Sequence, residues 1–496
     1  MFDAARPIVS PALSHRAARG ILITVFFVVW GLITHGTHAG SGDELHYLMI
    51  ARSIAFDRDF RLTNDYDDRQ NLVGGGTAKA EAHLRPGRDG VPRPVHDIGL
   101  PLLAAPLVRV MYPTAEWLSQ RLPSEWMTRA KLNASLLLRH QISLAMAILA
   151  GFLAIEIARA LLAMGIAERQ AFGWALLFGL SPPLLSFSFL FFTELVAALL
   201  VMVCLRRILH PSSAGSEWLL TGLLVGFLTL IHIRNGPLSF ALAAIAVANH
   251  HRRLRMLIPF AVGVLIVASV RTALNWHFWG RLVFNDHARL GTFAGLGDMF
   301  REMAFRTTGL FFDQEFGLFA LAPIYLLAWP GLVRLWRRDP AFAIPIIAIA
   351  LAGIGSIVIP ALNPYGFVGG WSPAPRFIVP IVPLLAVAAA GMARNLGAGQ
   401  RMFVGALVVL QVILSAVVWN DPKILWEDGN GLSALTQVFP QLTSQFARLP
   451  TWQLSDASAW PFVLAFLFWT VLTAWLLAGV RRPRTTAAFP DGSSSP

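Results

Sequence analysis

An all-α polytopic membrane protein is predicted, with about twelve transmembrane helices and a long first periplasmic loop carrying interfacial helices. Three observations predict it. The composition is 55% hydrophobic and only 14% charged, far from the balance of a soluble domain. Apolar windows near the ~20 residues that one crossing of the hydrocarbon core demands recur along the chain. Arginines gather in short clusters between those windows.

The windows fall at 20–36, 136–163, 170–191, 195–210, 217–232, 236–250, 256–275, 315–333, 341–360, 376–393, 402–420 and 461–480. Arg6, Arg16 and Arg19 precede the first, which places the amino terminus in the cytoplasm by the positive-inside rule. Arg169, the Arg206-Arg207 pair, the 250–255 run, the 334–338 cluster, Arg394 with Arg401 and the 481–484 group then share that side. The run from Ile21 to Ile33 has the length of a secretory signal core, with Thr37-His38-Ala39 as a poor cleavage site, and is read as an uncleaved anchor. The apolar segment from Asp97 to Tyr112 contains Pro101 and Pro106 and is short for a crossing. Counting it as one would also turn the later basic clusters outward, so it is read as an interfacial helix.

The outer loop thus runs over 36–135, within a transmembrane catalytic domain of residues 1–420. Residues 421–480 form a periplasmic loop and the last transmembrane helix. Residues 481–496, rich in Ser, Pro and Gly, form a disordered cytoplasmic tail. The net charge of +12 comes almost wholly from arginines placed by topology, so nucleic acid is not expected as a partner. The single cysteine, Cys204, excludes an intrachain disulfide.

Chemistry is concentrated at the outer edges. Past the first span, Leu45, Leu48, Met49 and Arg52 recur at helical spacing, giving a short helix with Asp43 at its start. Asp43 suits two roles: a cap of that helix, or, beside Glu44 at the water edge of a span, a base acting on a substrate that arrives from lipid. Arg234 and Arg376 stand at outer span ends, against the inward trend of the other arginines. They either anchor helix ends by snorkelling or hold a phosphate, whose geometry a guanidinium fork matches. Glu194 ends an apolar run containing Pro182 and Pro183 and calls for an arginine partner or a water-filled cavity. His96 and Asp97 open the interfacial helix as caps or as ligands of a substrate. Asp313 and Glu315, with His277, Asp286 and His287, are metal-ligand types at no tight ligand spacing. No cofactor is therefore expected, a divalent metal being the alternative. A Walker loop, a dinucleotide fingerprint and Cys/His zinc spacing are all missing from the sequence.

Several of these stretches, in order, resemble the GT-C superfamily of polyprenyl-phosphate-sugar glycosyltransferases, which includes protein O-mannosyltransferases and the transferases that put aminoarabinose on lipid A. They are Gly42-Asp43-Glu44-Leu45-His46-Tyr47; Val95-His96-Asp97-Ile98-Gly99-Leu100-Pro101; Leu180-Ser181-Pro182-Pro183 leading to Phe192-Thr193-Glu194; Arg234-Asn235-Gly236-Pro237; and Ser372-Pro373-Ala374-Pro375-Arg376-Phe377. The sequence departs from the family pattern in carrying His96 at a basic position, Glu194 where Asp is commoner, and Asn235 between Arg234 and Gly-Pro.

The resemblance implies an inverting transfer of a hexosyl or pentosyl group from a lipid-phosphate donor to a hydroxyl on the periplasmic face of a bacterial inner membrane. Asp43 would be the catalytic base, Arg234 and Arg376 would steady the phosphate, and Glu44, His96 and Glu194 would complete the substrate site. The acceptor would be a glycan, a lipid or a protein. Two other classes share the gross pattern. A transporter or lipid-linked glycan flippase would carry broken helices near the midplane and repeated halves. An O-antigen ligase or polymerase would place its arginines in a late outer loop, where 420–460 holds only Arg448.

Overall fold

A computed structural model describes residues 13–35, 42–67, 83–125, 133–284, 295–363, 366–369, 372–426, 429–452 and 459–479. Asp286, His287 and the 481–496 tail lie outside the described residues. The helices of nine residues or more are α1 (His15–His35), α2 (Glu44–Arg52), α3 (Gly99–Arg121), α4 (Ala134–Ala163), α5 (Glu168–Gly179), α6 (Thr193–Leu209), α7 (Gly215–Ile231), α8 (Gly236–His250), α9 (Leu254–Trp279), α10 (Leu296–Phe312), α11 (Ala328–Arg338), α12 (Pro340–Val358), α13 (Val382–Met392), α14 (Ala398–Asn420) and α15 (Trp460–Ala478).

Among the described residues, α1, α4, α9, α12, α14 and α15 are long and apolar enough to cross a membrane, with Gly215–Ile231 and Val379–Met392 as shorter apolar helices. Their outward faces are apolar as well. On α1, Ile21, Val25, Val29 and Leu32 repeat at helical spacing into the bundle, while Ile23, Phe27 and Trp30 point away from it. α9 and α15 likewise expose Leu265 and Val471, the surface expected where the solvent is lipid rather than water.

Two of the sequence windows are not continuous helices. The 170–191 window ends its first helix at Gly179 and resumes as a single turn over Leu184–Phe187, because Pro182 and Pro183 lack the amide hydrogens that would carry it on. The 315–333 window breaks into Leu318–Leu321, a 3-10 turn Pro323–Leu327 and α11. Gln411 of α14 mends this second break: its amide donates to the Leu321 carbonyl at 3.2 Å and accepts from the Ile324 amide at 3.5 Å. Broken backbone at membrane depth persists where such partners exist.

The long loop between α1 and α4 is richer than the sequence suggests. α2 runs on into a π turn over Ser53–Asp57. A two-stranded antiparallel hairpin, β1 (Leu84–Pro86) and β2 (Pro92–Pro94), precedes α3. The interfacial helix expected over 97–112 extends to Arg121, with Pro106 and Pro113 inside it. The later segment between α9 and the 315–333 window also holds a helix, α10.

α4, α6 and α13 form the centre, where every residue of α13 is buried. α7 and α9 touch backbone to backbone: a Cβ on Gly222 would lie 2.0 Å from the Phe260 carbonyl oxygen, the close approach that small residues permit between apolar helices. Charged groups sort to the two ends of the bundle. At one end Arg334 and Arg394 donate to the carbonyls of Met392 and Met164, at 3.0 and 2.8 Å, satisfying the last turns of α13 and α4. The first turns of α4 and α6 lie at the opposite end, beside α2.

Candidate active site

Four segments far apart in the chain bring Asp43, Glu194, Arg234 and Arg376 into one cluster. Asp43 ends the turn before α2. Its carboxylate makes no capping bond to that helix; Oδ2 instead accepts from Nη2 of Arg376 at 2.5 Å. The Nε of the same guanidinium donates to Oε1 of Glu194 at 2.7 Å, and Nη1 reaches the Gly369 carbonyl at 3.4 Å. Arg234 approaches the other side of Glu194, with Nη2 at 3.3 Å from the same Oε1.

Local sequence explains each placement. Glu194 stands in the first turn of α6, where the unpaired amides and the helix dipole favour a negative charge, and Thr193 Oγ1 donates to its other oxygen at 3.1 Å. Arg234 sits in a 3-10 turn, Ile233–Asn235, whose first amide bonds go to side chains: Arg234 N to Nδ1 of His232 at 3.1 Å, and Ile233 N to Oδ2 of Asp97 at 2.8 Å. Gly236-Pro237 then starts α8. The bent Ser372–Arg376 stretch, bridged at Pro373 to Trp426, delivers Arg376. Aromatic faces line both cations: Arg234 lies 3.7 Å from the Phe377 ring centre, and Arg376 lies 4.6 Å from that of Phe192, a favourable cation–π arrangement.

The charges are unequally accessible. Arg376 and Glu194 are buried, whereas 24% of the Asp43 side chain remains exposed. Burial by itself would push the Asp43 carboxyl up. The Arg376 guanidinium overrides it and, with smaller help from His96 and His46, holds the group well below the usual carboxylate range.

Glu44 and Asp97 have structural parts. Glu44, grouped with the substrate-binding residues on sequence grounds, is wholly buried. Its Oε2 accepts from Arg139 of α4 at 2.8 and 3.1 Å, and Oε1 accepts from the Phe191 amide at 3.1 Å. It therefore fastens α2 to α4 and to the turn before α6, leaving no carboxylate surface for a ligand. Asp97 ties the start of α3 to Arg271 of α9 at 2.7 Å and to the Arg234 turn. Gly99 completes that joint, since a Cβ there would lie 2.5 Å from the Leu230 carbonyl.

Asp313 and Glu315 are also engaged by backbone. Asp313 accepts from the amides of Glu315, Phe316 and Trp452, and Glu315 from those of Gly429 and Gly431. They clamp the backbone of the late loop at 429–431 and 452.

His96 does not cap α3, whose N-cap is Ile98. It joins His83 and His46: Nδ1 of His83 and Nε2 of His96 are 2.8 Å apart, and the His46 ring stacks on His83 with centres at 3.5 Å. Burial, with His96 and His83 adding to it, pushes the His46 imidazole down to about 3.

Sequence reasoning missed Arg139, Arg271 and His83. The first two were visible as arginines inside apolar runs, a pattern that demands a partner. Nothing in the sequence joins His83 to His96.

A cavity of about 1040 Å³ lies between α5, α13 and α14, lined by Trp174, Ser181, Arg394, Arg401 and Ser415 among others. It includes none of the clustered residues.

No family model and no curated sequence matches the chain. Solved structures similar in the course of the chain include the following three. The oligosaccharyltransferase of Archaeoglobus fulgidus tethered to an acceptor peptide has a TM-score of 0.45 and 12% identity, covering 82% of this chain and 56% of that one. The same protein in complex with zinc and sulfate has a TM-score of 0.41 and 13% identity, covering 81% and 53%. ArnT from Cupriavidus metallidurans bound to undecaprenyl phosphate has a TM-score of 0.45 and 14% identity, covering 94% and 74%. The chain thus spans about half the length of the oligosaccharyltransferase structures.

Proposed function

We propose that this chain is a membrane glycosyltransferase of the GT-C superfamily that moves a sugar, with inversion, from a polyprenyl-phosphate carrier to a hydroxyl acceptor on the periplasmic face of a bacterial inner membrane. The observation that carries the reading is the pairing of one accessible carboxylate, Asp43, with Arg376, whose guanidinium shares the buried Glu194 carboxylate with Arg234. In the reaction the acceptor oxygen attacks the anomeric carbon and the bond from that carbon to the phosphate oxygen breaks. Negative charge develops on the departing lipid phosphate, where Arg234 and Arg376 steady it. The acceptor proton passes to Asp43.

Glu194 keeps two like charges side by side, so that a phosphate entering between them meets a preformed site. Arg376 also holds Asp43, which makes the carboxylate a poor base. A donor phosphate competing for Arg376 loosens that bond and raises the basicity of Asp43 where it is needed. His96 lies at the edge of the same region and borders the sugar. The acceptor is a glycan, a lipid or a protein carrying a free hydroxyl.

The test is binding and turnover in nanodiscs. Undecaprenyl phosphate should raise the melting temperature of the parent chain, and the rise should vanish in Arg234→Ala and Arg376→Ala. Losing one such donor costs roughly 10²–10³ in transfer rate. Near-parental turnover in both variants would move the phosphate elsewhere. One observation favours a second reading: the two broken windows are a feature of transporters as well. Translocation of the lipid carrier across vesicles without sugar transfer would establish that reading instead.

A further inference from the structure

Three histidines from separate segments meet beside the Asp43 turn. His46 lies on the first turn of α2, His83 immediately before β1 and His96 two residues after β2. The hairpin sets the last two across from one another: Leu84 pairs with Pro94, and the Val95 amide bonds to the His83 carbonyl at 3.1 Å. Pro86, Pro92 and Pro94 restrict the strands that carry them. α2 then brings His46, which is buried, over the His83 ring. One ring nitrogen from each of the three lies within 4.8 Å of the others.

We propose that His46, His83 and His96 bind one divalent transition-metal ion of the zinc class, each through one ring nitrogen, with the fourth position open. Neutral imidazole is the nitrogen ligand that zinc-class ions prefer, at distances of about 2.0–2.1 Å. Tetrahedral ligands at that distance stand ~3.3 Å apart, so nitrogens now up to 4.8 Å apart close by up to about 1.5 Å, while the His83–His96 contact of 2.8 Å opens slightly. The three rings are stacked with planes 15–22° apart, so binding also requires rotation about the side-chain bonds to turn their in-plane lone pairs onto one point. Three protein ligands with an open position are the pattern of a reactive site rather than a closed structural one. Asp43 is the residue just before α2 and His46 lies on its first turn, three residues on, a spacing that shares a helix face and puts the ion next to the Asp43 carboxylate. The metal site stands on this ring geometry and does not depend on the transferase reading.

The test uses the purified full-length chain, stripped with a chelator and then titrated separately with Zn²⁺ and Co²⁺. The expected result is one ion per chain, with the intense visible absorption of four-coordinate Co²⁺. His83→Gln and His96→Gln, both at partly exposed positions, should each weaken binding by at least the roughly 10–100-fold that loss of a mere outer-shell partner causes. His277→Gln should leave it unchanged. A parent chain that takes up neither ion at micromolar concentration overturns the proposal without recourse to any variant, and so does undiminished binding in both histidine variants. Because the readout is metal content and spectrum, it stands apart from whether sugar transfer is found.

Discussion

Arg376 and Asp43, 333 residues apart in the chain, form an ion pair at 2.5 Å, and the same guanidinium holds Glu194 at 2.7 Å. One side chain therefore couples the turn before α2 to the start of α6 and to the late Pro-rich stretch before α13. Anything that draws Arg376 away, a phosphate above all, changes the state of Asp43.

Asp43→Asn is expected to fold and insert, because the carboxylate makes no capping bond to α2 and asparagine occupies helix starts as readily as aspartate. If Asp43 is the base, transfer falls by roughly 10²–10⁴. Single-turnover assays with a preformed donor complex read this directly, and a parental rate would remove Asp43 from the proton transfer.

The ion pair also sets a pH signature. The Asp43 carboxyl is held below its ordinary range in the folded chain, so its contribution to stability is complete above the unfolded value of about 3.9 and is lost as pH falls below it. The difference in melting temperature between the parent and Asp43→Asn should stay flat from neutral pH to about pH 5 and shrink at lower pH. A difference that fades already between pH 7 and 6 would show that Arg376 does not hold the group.

Glu44 and Arg139 should behave as structural partners. Removing one member of a buried pair typically costs about 3–5 kcal/mol, whereas replacing both with apolar residues is far milder. Glu44→Gln and Arg139→Met should therefore each lower the melting temperature sharply, and Glu44→Leu with Arg139→Met should recover much of it. A Glu44→Gln chain of parental stability but raised KM for donor would return Glu44 to the binding site.

At Gly99 the backbone of α3 meets the end of α7 with no room for a methyl group. Gly99→Ala should destabilise by about 1–3 kcal/mol, as overpacking does. It should also shift the Asp97 clamp on the Arg234 turn, so a lower melting temperature accompanied by a raised donor KM is the expected pair of readings.

Sidedness is open to labelling. With Cys204→Ala as background, a cysteine at Gly90 in the β1–β2 turn should react with a membrane-impermeant thiol reagent in intact spheroplasts, and one at Ser213 between α6 and α7 should not. Labelling at Ser213 alone would invert the topology.

By itself the sequence determined the solvent of this protein and most of its helices. A crossing needs a run of apolar residues, and such runs are local; the windows at 136–163 and 402–420 match α4 and α14 within a few residues. It also singled out the residues whose placement is costly in a membrane, Asp43, Glu194, Arg234 and Arg376, because a charge at a span end needs a reason. What the tertiary structure decided was partnership. Whether Asp43 caps α2 or faces Arg376, whether Glu44 meets a ligand or Arg139, and whether His96 stands alone or with His46 and His83 all depend on contacts between segments tens to hundreds of residues apart. The windows broken at Pro182-Pro183 and at Pro323 follow the same logic, since hydropathy records how apolar a run is but not whether its amides can close a helix. Hydrophobic burial is non-directional and can be read from composition along the chain. Hydrogen bonds and ion pairs are directional and short-ranged, and they take form only once the bundle has brought their two ends together.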